Sequence, residues 1–327
     1  MFSLRVGLDL GSSNVRINVA GKVEVEGPSL VVVDVNSREV KAVGEKAKEM
    51  LGKTLSGIEA IYPIERGRVR DFSTAEAMLR FYFRQISRVR TLDLRFVLPV
   101  TASSVDKICL IRLAKLLRSG SVEFVRSPIA TVLASGVEMK QPGGLLIIDI
   151  GSGKTDISVV SLGKIITAGC VRVGGRDIGL AIARSVRKEY GLIVNQSIVD
   201  TLQSSLVSAS QNGNVLERNI AGLDASSGLP SERKVSSELI NPALADTMKR
   251  IANGVAEVLR RTPCELCADL LDNGAILVGG CAKMSGISQF LGDYIGIPIR
   301  VVDTPEHCAC LGCSLASDKQ IERAGGF

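Results

Sequence analysis

Two short segments of the chain each place an aspartate at the end of an apolar run, directly before a turn of glycine and serine. They read GLDLGSSNVRINV from Gly7 and IIDIGSGKTDISVV from Ile147. Asp9 of the first corresponds to Asp149 of the second, and in both copies the residues after the turn alternate between apolar and polar. This period of two predicts a strand, so each turn is a β-hairpin rather than the loop and helix of a Walker or dinucleotide-binding motif. The repetition predicts a duplicated lobe.

The two hairpins have the composition of phosphate-binding loops. Glycines let backbone N–H groups point into one concavity with no side chain in the way, and such a cluster of amides binds anions. Two loops that face each other would clasp a polyphosphate, and Asp9 and Asp149 suit Mg²⁺ held through water. For either loop alone, an ordinary tight hairpin is the alternative. The candidate phosphate-binding residues are Gly11, Ser12, Ser13 and Asn14 in the first loop and Gly151, Ser152, Gly153 and Lys154 in the second.

A third glycine element, GAILVGGCAKMSGISQFL from Gly274, reads as a buried strand, a glycine pair and a helix. The strand is predicted over residues 275–278, and the pair is Gly279 and Gly280. Paired glycines would let a flat ligand such as a purine approach the backbone closely, beside the N-terminus of the helix. Junctions of this kind are common, so the element carries weight only together with the two hairpins.

Composition narrows the function classes. The chain has 327 residues, of which 46% are hydrophobic, enough for roughly two domains. The net charge of +6 allows an acidic partner, but aromatic residues make up only 4% and tryptophan is absent, so nucleic acid is not an expected partner. His307 is the only histidine, which argues against a Ser-His-Asp hydrolase. No apolar run approaches the ~20 residues that span a bilayer, and Asp9 interrupts the first one too early for a signal peptide, so we expect a cytoplasmic protein.

The eight cysteines fit reduced thiols better than disulfides in a chain of this kind. Two CxxC pairs, Cys264 with Cys267 and Cys310 with Cys313, have the spacing of zinc ligands. Each pair also lies where a helix is expected to begin, and small buried residues pack at such places. The ~40 residues between the pairs exceed the spacing of common zinc ribbons, so packing is the favoured interpretation.

The order of two Asp-x-Gly hairpins and a Gly-Gly loop is that of the actin-like ATPase superfamily, and the detail resembles the MreB family, the bacterial actin homologues. The similarity runs nearly end to end, and AVGEKAKEMLG and RVGGRDI are its most specific stretches. It implies an α/β fold, the actin-like two-lobed fold with duplicated ribonuclease-H-like subdomains around a nucleotide cleft. Lobe I would comprise residues 1–141 and 305–327, with a small outer subdomain at about 26–61. Lobe II would comprise residues 142–304, with an outer subdomain at about 180–240.

The resemblance also implies a function. MreB proteins bind ATP with Mg²⁺ in the cleft and form filaments beneath the inner membrane that guide cell-wall synthesis and rod cell shape. For this chain it implies the same cofactors, self-association into homopolymers, and contacts with the inner face of the cell membrane and with cell-wall synthesis proteins. Asp9 and Asp149 take the magnesium and water-ordering roles. Besides the two phosphate loops, the implied contacts are an adenosine loop of Gly279, Gly280, Cys281 and Ala282, and ribose or adenine contacts from Asp200 and Gln203.

Several positions expected to take part in nucleotide binding or hydrolysis depart from the family pattern. MreB carries two glutamates before the segment PIATVLASG, and the second is the residue expected to position the attacking water; here the pair is Arg126 and Ser127. Asp149 and this degenerate position are the candidate catalytic residues, and because Ser127 is short and neutral we expect a weak ATPase at most. Alternatively, Ser127 merely caps the helix that starts at Pro128. Lys154 stands where MreB has threonine, and it would either offset triphosphate charge or point to solvent.

The segment LPVTASSVDKICLIRLAKLLRSGSVEFV resembles the family only in outline. Its apolar residues recur at helical spacing, which predicts a helix packed on the core rather than a surface site. These residues are Ile108, Ile111, Leu113, Leu116 and Leu117.

Membrane contact has two candidate sources. Phe2 and Leu4 would insert into a bilayer, or they simply begin the first strand. Arg84, Arg88 and Arg90 would lie against anionic headgroups at about 1 kcal/mol per charge, or they form a solvated helix end.

Two other function classes stay open beside the filament-forming scaffold. One is a nucleotide-gated, non-polymerising actin-fold adaptor or chaperone-like protein. The other is a small-molecule kinase, which is disfavoured because the chain is short and lacks a recognisable substrate-base motif. Pelleting with ATP and phosphate release with candidate substrates distinguish the three classes.

Overall fold

The chain folds around two large β-sheets that carry helices on their faces. The computed structural model describes residues 4–52, 57–86, 92–117, 119–137, 143–205 and 215–323. Within these ranges the strands are β1 (Leu4–Leu10), β2 (Asn14–Val19), β3 (Lys22–Pro28), β4 (Val31–Asp34), β5 (Val40–Val43), β6 (Ile58–Ile61), β7 (Ile64–Glu65), β8 (Arg68–Val69), β9 (Leu92–Leu98), β10 (Ser121–Arg126), β11 (Leu145–Ile150), β12 (Thr155–Ser161), β13 (Lys164–Val171), β14 (Leu192–Ile193), β15 (Glu217–Asp224), β16 (Pro230–Ser236), β17 (Ala275–Val278), β18 (Ile299–Val301) and β19 (Glu322–Arg323).

The helices of the same ranges connect and cover these strands. The α-helices are α1 (Glu45–Met50), α2 (Phe72–Phe83), α3 (Ser104–Leu116), α4 (Ser127–Ala134), α5 (Gly175–Tyr190), α6 (Gln196–Ser205), α7 (Ser237–Arg260), α8 (Cys264–Asn273), α9 (Ile287–Ile295) and α10 (Cys308–Leu315). Short 3₁₀-helices occupy Gly280–Lys283 and Asp318–Gln320.

The two large sheets share one topology. The first has the strand order β19-β10-β9-β1-β2-β3, and the second has the order β18-β17-β11-β12-β13. In the first sheet β1 runs antiparallel to β2 and parallel to β9; in the second, β11 runs antiparallel to β12 and parallel to β17. Apart from β19, the sheets correspond strand for strand, which confirms the duplication predicted from the paired hairpins.

The central strands β1 and β11 place the two aspartates. Both strands are almost continuously apolar because sheets covered on both faces bury each side of their central strands. Asp9 is the last residue but one of β1, and Asp149 is the last residue but one of β11. The shared topology therefore brings both carboxylates to corresponding edges of the two sheets.

Smaller sheets lie beside the large ones. One contains β5, β4 and β6, another contains β14, β15 and β16, and β7 pairs with β8. The first large sheet draws its strands from residues 4–126 and 322–323, and the second draws them from residues 145–301. The limits of the lobes and outer subdomains given above stay a prediction.

A hydrophobic core joins the two sheets. Helices α4 and α10 pack against each other in it, and they contribute Ile129 and Cys313. Ile147 and Val278 of the second sheet complete one side of this core. Since these residues are almost entirely buried, the core fixes the separation of the sheets at the strand ends where the aspartates lie.

The predicted orientation of the helix after β9 is wrong in part. Ile108 is 51% exposed and Leu116 is 37% exposed, although both were expected in the core. The helix has apolar residues on two sides, and only one side meets the first sheet. The side in contact with the core carries Leu110, Ile111, Leu113, Ala114 and Leu117.

Candidate functional site

The two glycine hairpins meet across the space between the large sheets. A β-carbon built on Gly153 would lie 3.2 Å from Ser12 Oγ. Arg176 of α5 ties the two loops together, because its backbone N–H donates to Ser152 O at 2.8 Å and its guanidinium donates to Ser12 O. The guanidinium carbon also lies 4.3 Å from the centre of the Tyr62 ring. The loops that were predicted to clasp one polyphosphate therefore face each other.

Asp9 and Asp149 line this cleft. Burial raises the pKa of Asp9, while the charge of Arg16, whose Nη1 lies 3.9 Å from Asp9 Oδ2, lowers it. Burial also raises the pKa of Asp149 to about 7, with a further contribution from the negative charges of Asp156 and Asp9. Ser127 Oγ donates to Asp149 Oδ2 at 3.4 Å. Crowded carboxylates of this kind favour a bound proton or cation.

Each hairpin also brings a cation into the cleft. Arg16 stands opposite Asp9 in the pairing of β1 with β2, and its Nη2 lies 2.8 Å from Glu26 Oε1. Lys154 Nζ lies 2.5 Å from Asp156 Oδ2, and the two side chains are only 13% and 7% exposed. The alternative that Lys154 points to solvent is therefore wrong.

The carboxylates of the cleft fit a divalent cation. Asp156 Oδ1 is buried and has no hydrogen-bond partner among the described residues. Mg²⁺ takes one or two carboxylates together with phosphate oxygens and water, so Asp9 and Asp149 would hold it through water, where it neutralises and polarises the phosphates. Within the described ranges no group of three or more His, Cys, Asp and Glu side chains is placed to hold a metal alone. Phosphate and water would therefore complete the coordination.

The glycine pair follows β17 beside the second loop. Gly279 has a φ of 88°, and a β-carbon on it would lie 2.5 Å from Ile150 O, so glycine is required at this position. Gly280 lines the cleft. The approach of a purine to its backbone stays a prediction. Cys281 and Ala282 lie behind Gly280 and are 7% and 3% exposed.

The two residues expected to contact ribose or adenine lie on α6, and neither lines the cleft. Asp200 is exposed, accepts a hydrogen bond from Gln196 Nε2 at 2.8 Å and lies 3.8 Å from Lys48 Nζ of α1. Gln203 lies next to the start of α5, where a β-carbon on Gly175 would be 3.4 Å from Gln203 Nε2. Their contacts to a nucleotide stay a prediction.

Most of the other predicted residues come together in the cleft. Those that line it are Asp9, Gly11, Ser12, Ser13, Asn14, Ser127, Asp149, Gly151, Ser152, Gly153, Lys154, Gly279 and Gly280. Sequence analysis missed Arg16, Asp156 and Glu306, which also line it. The hairpin pattern could have identified Arg16 and Asp156, since they stand directly across from Asp9 and Asp149. Glu306 had no such signal, because only the folded chain brings it to the cleft, where Lys283 Nζ lies 2.5 Å from its Oε1.

Arg126 and Ser127, the pair that departs from the family pattern, face different surroundings. Ser127 is 6% exposed and is the first residue of α4. The N-cap residue of α4 is Arg126, and no side-chain hydrogen bond caps this end of the helix. The alternative that Ser127 is the cap is therefore wrong. The Arg126 side chain is engaged elsewhere, since its Nε lies 2.9 Å from Glu322 Oε1. Neither side chain supplies a carboxylate beside Asp149.

Both CxxC pairs lie on helices, but the predicted burial holds only for the second pair. Cys264 is exposed at the start of α8, and Cys267 donates to backbone carbonyls. Cys310 and Cys313 are buried in α10, where their thiols also donate to backbone carbonyls. Burial raises the pKa of Cys313 to about 12.

The candidate membrane contacts are only partly described. Leu4 begins β1 and is half-buried, and Arg84 is exposed at the end of α2. Phe2, Arg88 and Arg90 lie outside the described residues. No helix within the described ranges is long and apolar enough to cross a bilayer.

Two sheets of one topology, joined by a core and opening on a cleft between paired hairpin loops, define an actin-like protein. The structure matches that of MreB5 of Spiroplasma citri bound to AMPPNP with a TM-score of 0.92 at 28% identity, over 96% of each chain. It matches the MamK double-helical filament with a TM-score of 0.80 at 19% identity, over 95% of this chain and 98% of that one, a likeness of fold. These matches confirm the fold class predicted from the sequence.

The family follows from the sequence comparisons. The model of the MreB/Mbl protein family matches residues 3–324, so the chain belongs to this family. It is 33% identical over 325 residues to the cell shape-determining protein Mbl of Bacillus subtilis (strain 168), covering 97% of each chain. The resemblance identified from the motifs is thus confirmed.

Proposed function

We propose that the chain binds ATP with Mg²⁺ in the cleft and assembles into filaments of the MreB kind that guide cell-wall synthesis and cell shape. The observation that carries this proposal is the pair of facing loops, tied by Arg176, with Asp9 and Asp149 at the ends of the two central strands. The relatives support it, because the Bacillus protein is named as cell shape-determining and the Spiroplasma protein binds AMPPNP.

The nucleotide would lie with its phosphates between the loops and its purine against the glycine pair. The backbone N–H groups of both loops would donate to phosphate oxygens, as amide clusters do for anions. Asp9 and Asp149 would orient the water molecules around Mg²⁺. The two proposed lobes, residues 1–141 with 305–327 and residues 142–304, would close on the nucleotide, which is the usual response of a two-lobed cleft.

Hydrolysis in this proposal is weak. Phosphoryl transfer depends on a group that orients the attacking water, and loss of such a base reduces the rate by ~10²–10⁴-fold. The only side chain that position 127 offers is a hydroxyl that already donates to Asp149. Assembly would then follow nucleotide binding more than nucleotide turnover.

We place the filaments in the cytoplasm, peripheral to the inner face of the cell membrane and in contact with cell-wall synthesis proteins. The net charge of +6 favours an anionic membrane surface, and Arg84 is one exposed cation that would contribute. Sedimentation with anionic and with neutral vesicles tests this placement. Equal recovery with both vesicle types contradicts it.

The central experiment combines calorimetry with ATP and Mg²⁺, pelleting and electron microscopy of the purified chain. We expect ATP binding and filaments. Ser152→Asp places a negative charge in the second loop and should abolish both, whereas Ser204→Asp on the exposed side of α6 should change neither. Folded protein without affinity for any purine nucleotide contradicts the proposal, and binding without assembly favours the adaptor alternative.

A further inference from the structure

Lys154 is an ammonium group held inside the cleft. It is the last residue of the second loop, and its Nζ lies 2.5 Å from Asp156 Oδ2 with both side chains almost fully buried. Lysine side chains are mostly exposed, and burying one requires a partner that offsets the lost hydration. Asp156 is that partner, and it directs the ammonium into the cleft instead of toward solvent.

The ammonium lies among the groups that would surround a triphosphate. Lys154 and Asp156 line the same cleft as Asp9 and Asp149, and Asp156 stands directly opposite Asp149 in the pairing of β11 with β12. A β-carbon on Gly67, in the turn between β7 and β8, would lie 3.6 Å from Lys154 Nζ.

An ammonium group has capacity for more than one acceptor. It carries three N–H donors, and in the described part of the chain Lys154 Nζ donates to Asp156 Oδ2. A triphosphate between the loops would bring acceptor oxygens and a high negative charge next to it. Free nucleotides depend on Mg²⁺ for this neutralisation, whereas a lysine fixed by the fold is present at every binding event.

We propose that Lys154 is a built-in counter-ion that binds the phosphate oxygens of the nucleotide and partly replaces Mg²⁺, with Asp156 as its positioning residue. This inference rests on the proposed function, because it concerns the same nucleotide. It goes beyond that function in naming a second source of positive charge, supplied by the chain itself. Nucleotide binding should therefore depend only weakly on the divalent cation.

A purely structural role is the competing account. Lys154 would then do no more than neutralise Asp156, whose second oxygen is already buried without a partner among the described residues. Removing the ion pair would change stability, and the ratio of nucleotide affinities with and without Mg²⁺ would stay constant. The two accounts therefore differ in a binding ratio rather than in catalytic activity.

The test measures the Kd of the whole chain for a fluorescent ATP analogue in saturating Mg²⁺ and in excess EDTA, at constant ionic strength. For the native chain we expect the two Kd values to differ by less than ~10-fold, or about 1.4 kcal/mol. The variant Lys154→Met with Asp156→Asn removes both charges at similar size, so that no unpaired carboxylate stays buried. It should lose at least ~10-fold more affinity in EDTA than in Mg²⁺.

The matched control is Lys164→Met, an exposed lysine at the start of β13, beside the far end of β12, which should leave both Kd values unchanged. Lys154→Arg keeps the charge and should keep the weak dependence on Mg²⁺. A native chain that loses binding in EDTA overturns the inference while the proposed function survives, and this result needs no variant to fold. The same ratio in the native chain and the double variant also overturns it. Absence of binding in Mg²⁺ overturns the proposed function itself.

Discussion

Gly312 of α10 lies directly against the backbone of Ala130 in α4. A β-carbon built on Gly312 would be 1.7 Å from Ala130 O, far inside van der Waals contact. The two helices cross at this point in the core that joins the two large sheets. The separation of the sheets, and with it the width of the cleft, therefore depends on the absence of a side chain at one position.

We expect Gly312→Ala to destabilise the fold. Alanine gains about 1 kcal/mol over glycine inside a helix, but forcing an extra carbon into a packed contact costs about 1–3 kcal/mol or more, and a contact with backbone cannot relax by a rotamer change. The clash should win, so the free energy of unfolding, measured by denaturation, should fall by about 1–2 kcal/mol.

Gly280→Ala is the control for this prediction, since a β-carbon at Gly280 would meet nothing within 4 Å. Its effect should stay within about 0.5 kcal/mol. Equal midpoints for the native chain and Gly312→Ala would mean that α4 and α10 separate at little cost.

Local patterns in the sequence predicted the elements that carry the cleft. Strand alternation and the Asp-x-Gly turns predicted both hairpins, and the apolar run before Gly279 predicted β17. These features depend on residues close together in the chain, where the period of two and the glycine turns act directly. The duplication could be predicted for the same reason.

Contacts between distant residues could not be predicted from the sequence. Arg176 and Ser12 are 164 positions apart, and only the folded sheets bring them together. The predicted orientation of α3 was wrong for a related reason. The helix has apolar residues on two sides, and periodicity alone does not say which side meets the sheet. Ile108 was therefore placed in the core although it is 51% exposed.

Restoring a carboxylate at position 127 should accelerate hydrolysis. Ser127 lines the cleft beside Asp149, so Ser127→Glu would place a carboxylate where water approaches the phosphates. We expect phosphate release to rise by ~10²-fold, the low end of the contribution of a positioned base. The measurement is steady-state phosphate release with ATP and Mg²⁺.

Ser127→Gln is the matched control for that measurement, because it has the same length and no negative charge. It should release phosphate at the native rate. If the native chain already turns over ATP as fast as Ser127→Glu, the serine does not limit hydrolysis.

Arg176 should slow the release of nucleotide. Its guanidinium donates to Ser12 O and lies over the Tyr62 ring, and its backbone N–H donates to Ser152 O, so it joins the two loops across the cleft. A hydrogen bond from a charged group contributes about 1.5–3 kcal/mol, so Arg176→Met should release a fluorescent ATP analogue ~10-fold faster or more in stopped flow. Tyr62→Leu keeps an apolar side chain against the cluster of Leu30, Val32 and Ala47 but removes the ring contact with Arg176, about 0.5–1 kcal/mol, and should accelerate release by ~2–5-fold.

Arg172→Met serves as the control for release, since Arg172 is an exposed cation four positions earlier in the chain. It should leave the release rate unchanged. If Arg176→Met releases nucleotide at the native rate, the contacts of Arg176 do not slow the separation of the loops.

Glu322 should make the attachment of β19 sensitive to acid. Burial raises the pKa of Glu322, but hydrogen bonds from Lys107 and Arg126 lower it more, and the net pKa lies below its usual range. A carboxylate whose pKa is lower in the folded state stabilises the fold above its unfolded pKa of about 4.3 and loses that contribution as the pH falls through the folded pKa. We therefore expect β19 to be protected from hydrogen exchange at neutral pH and to lose protection below about pH 4.

The variant Glu322→Gln should show the low protection of β19 already at neutral pH, because an amide cannot replace the charge that Lys107 and Arg126 contact. Asp293→Asn is its control, since that carboxylate is exposed on α9 and accepts a hydrogen bond from Gln289, away from β19. Protection factors, which correct for intrinsic exchange at each pH, provide the comparison. Unchanged protection in Glu322→Gln would mean that the backbone pairing of β19 with β10 holds the strand without the ion pairs.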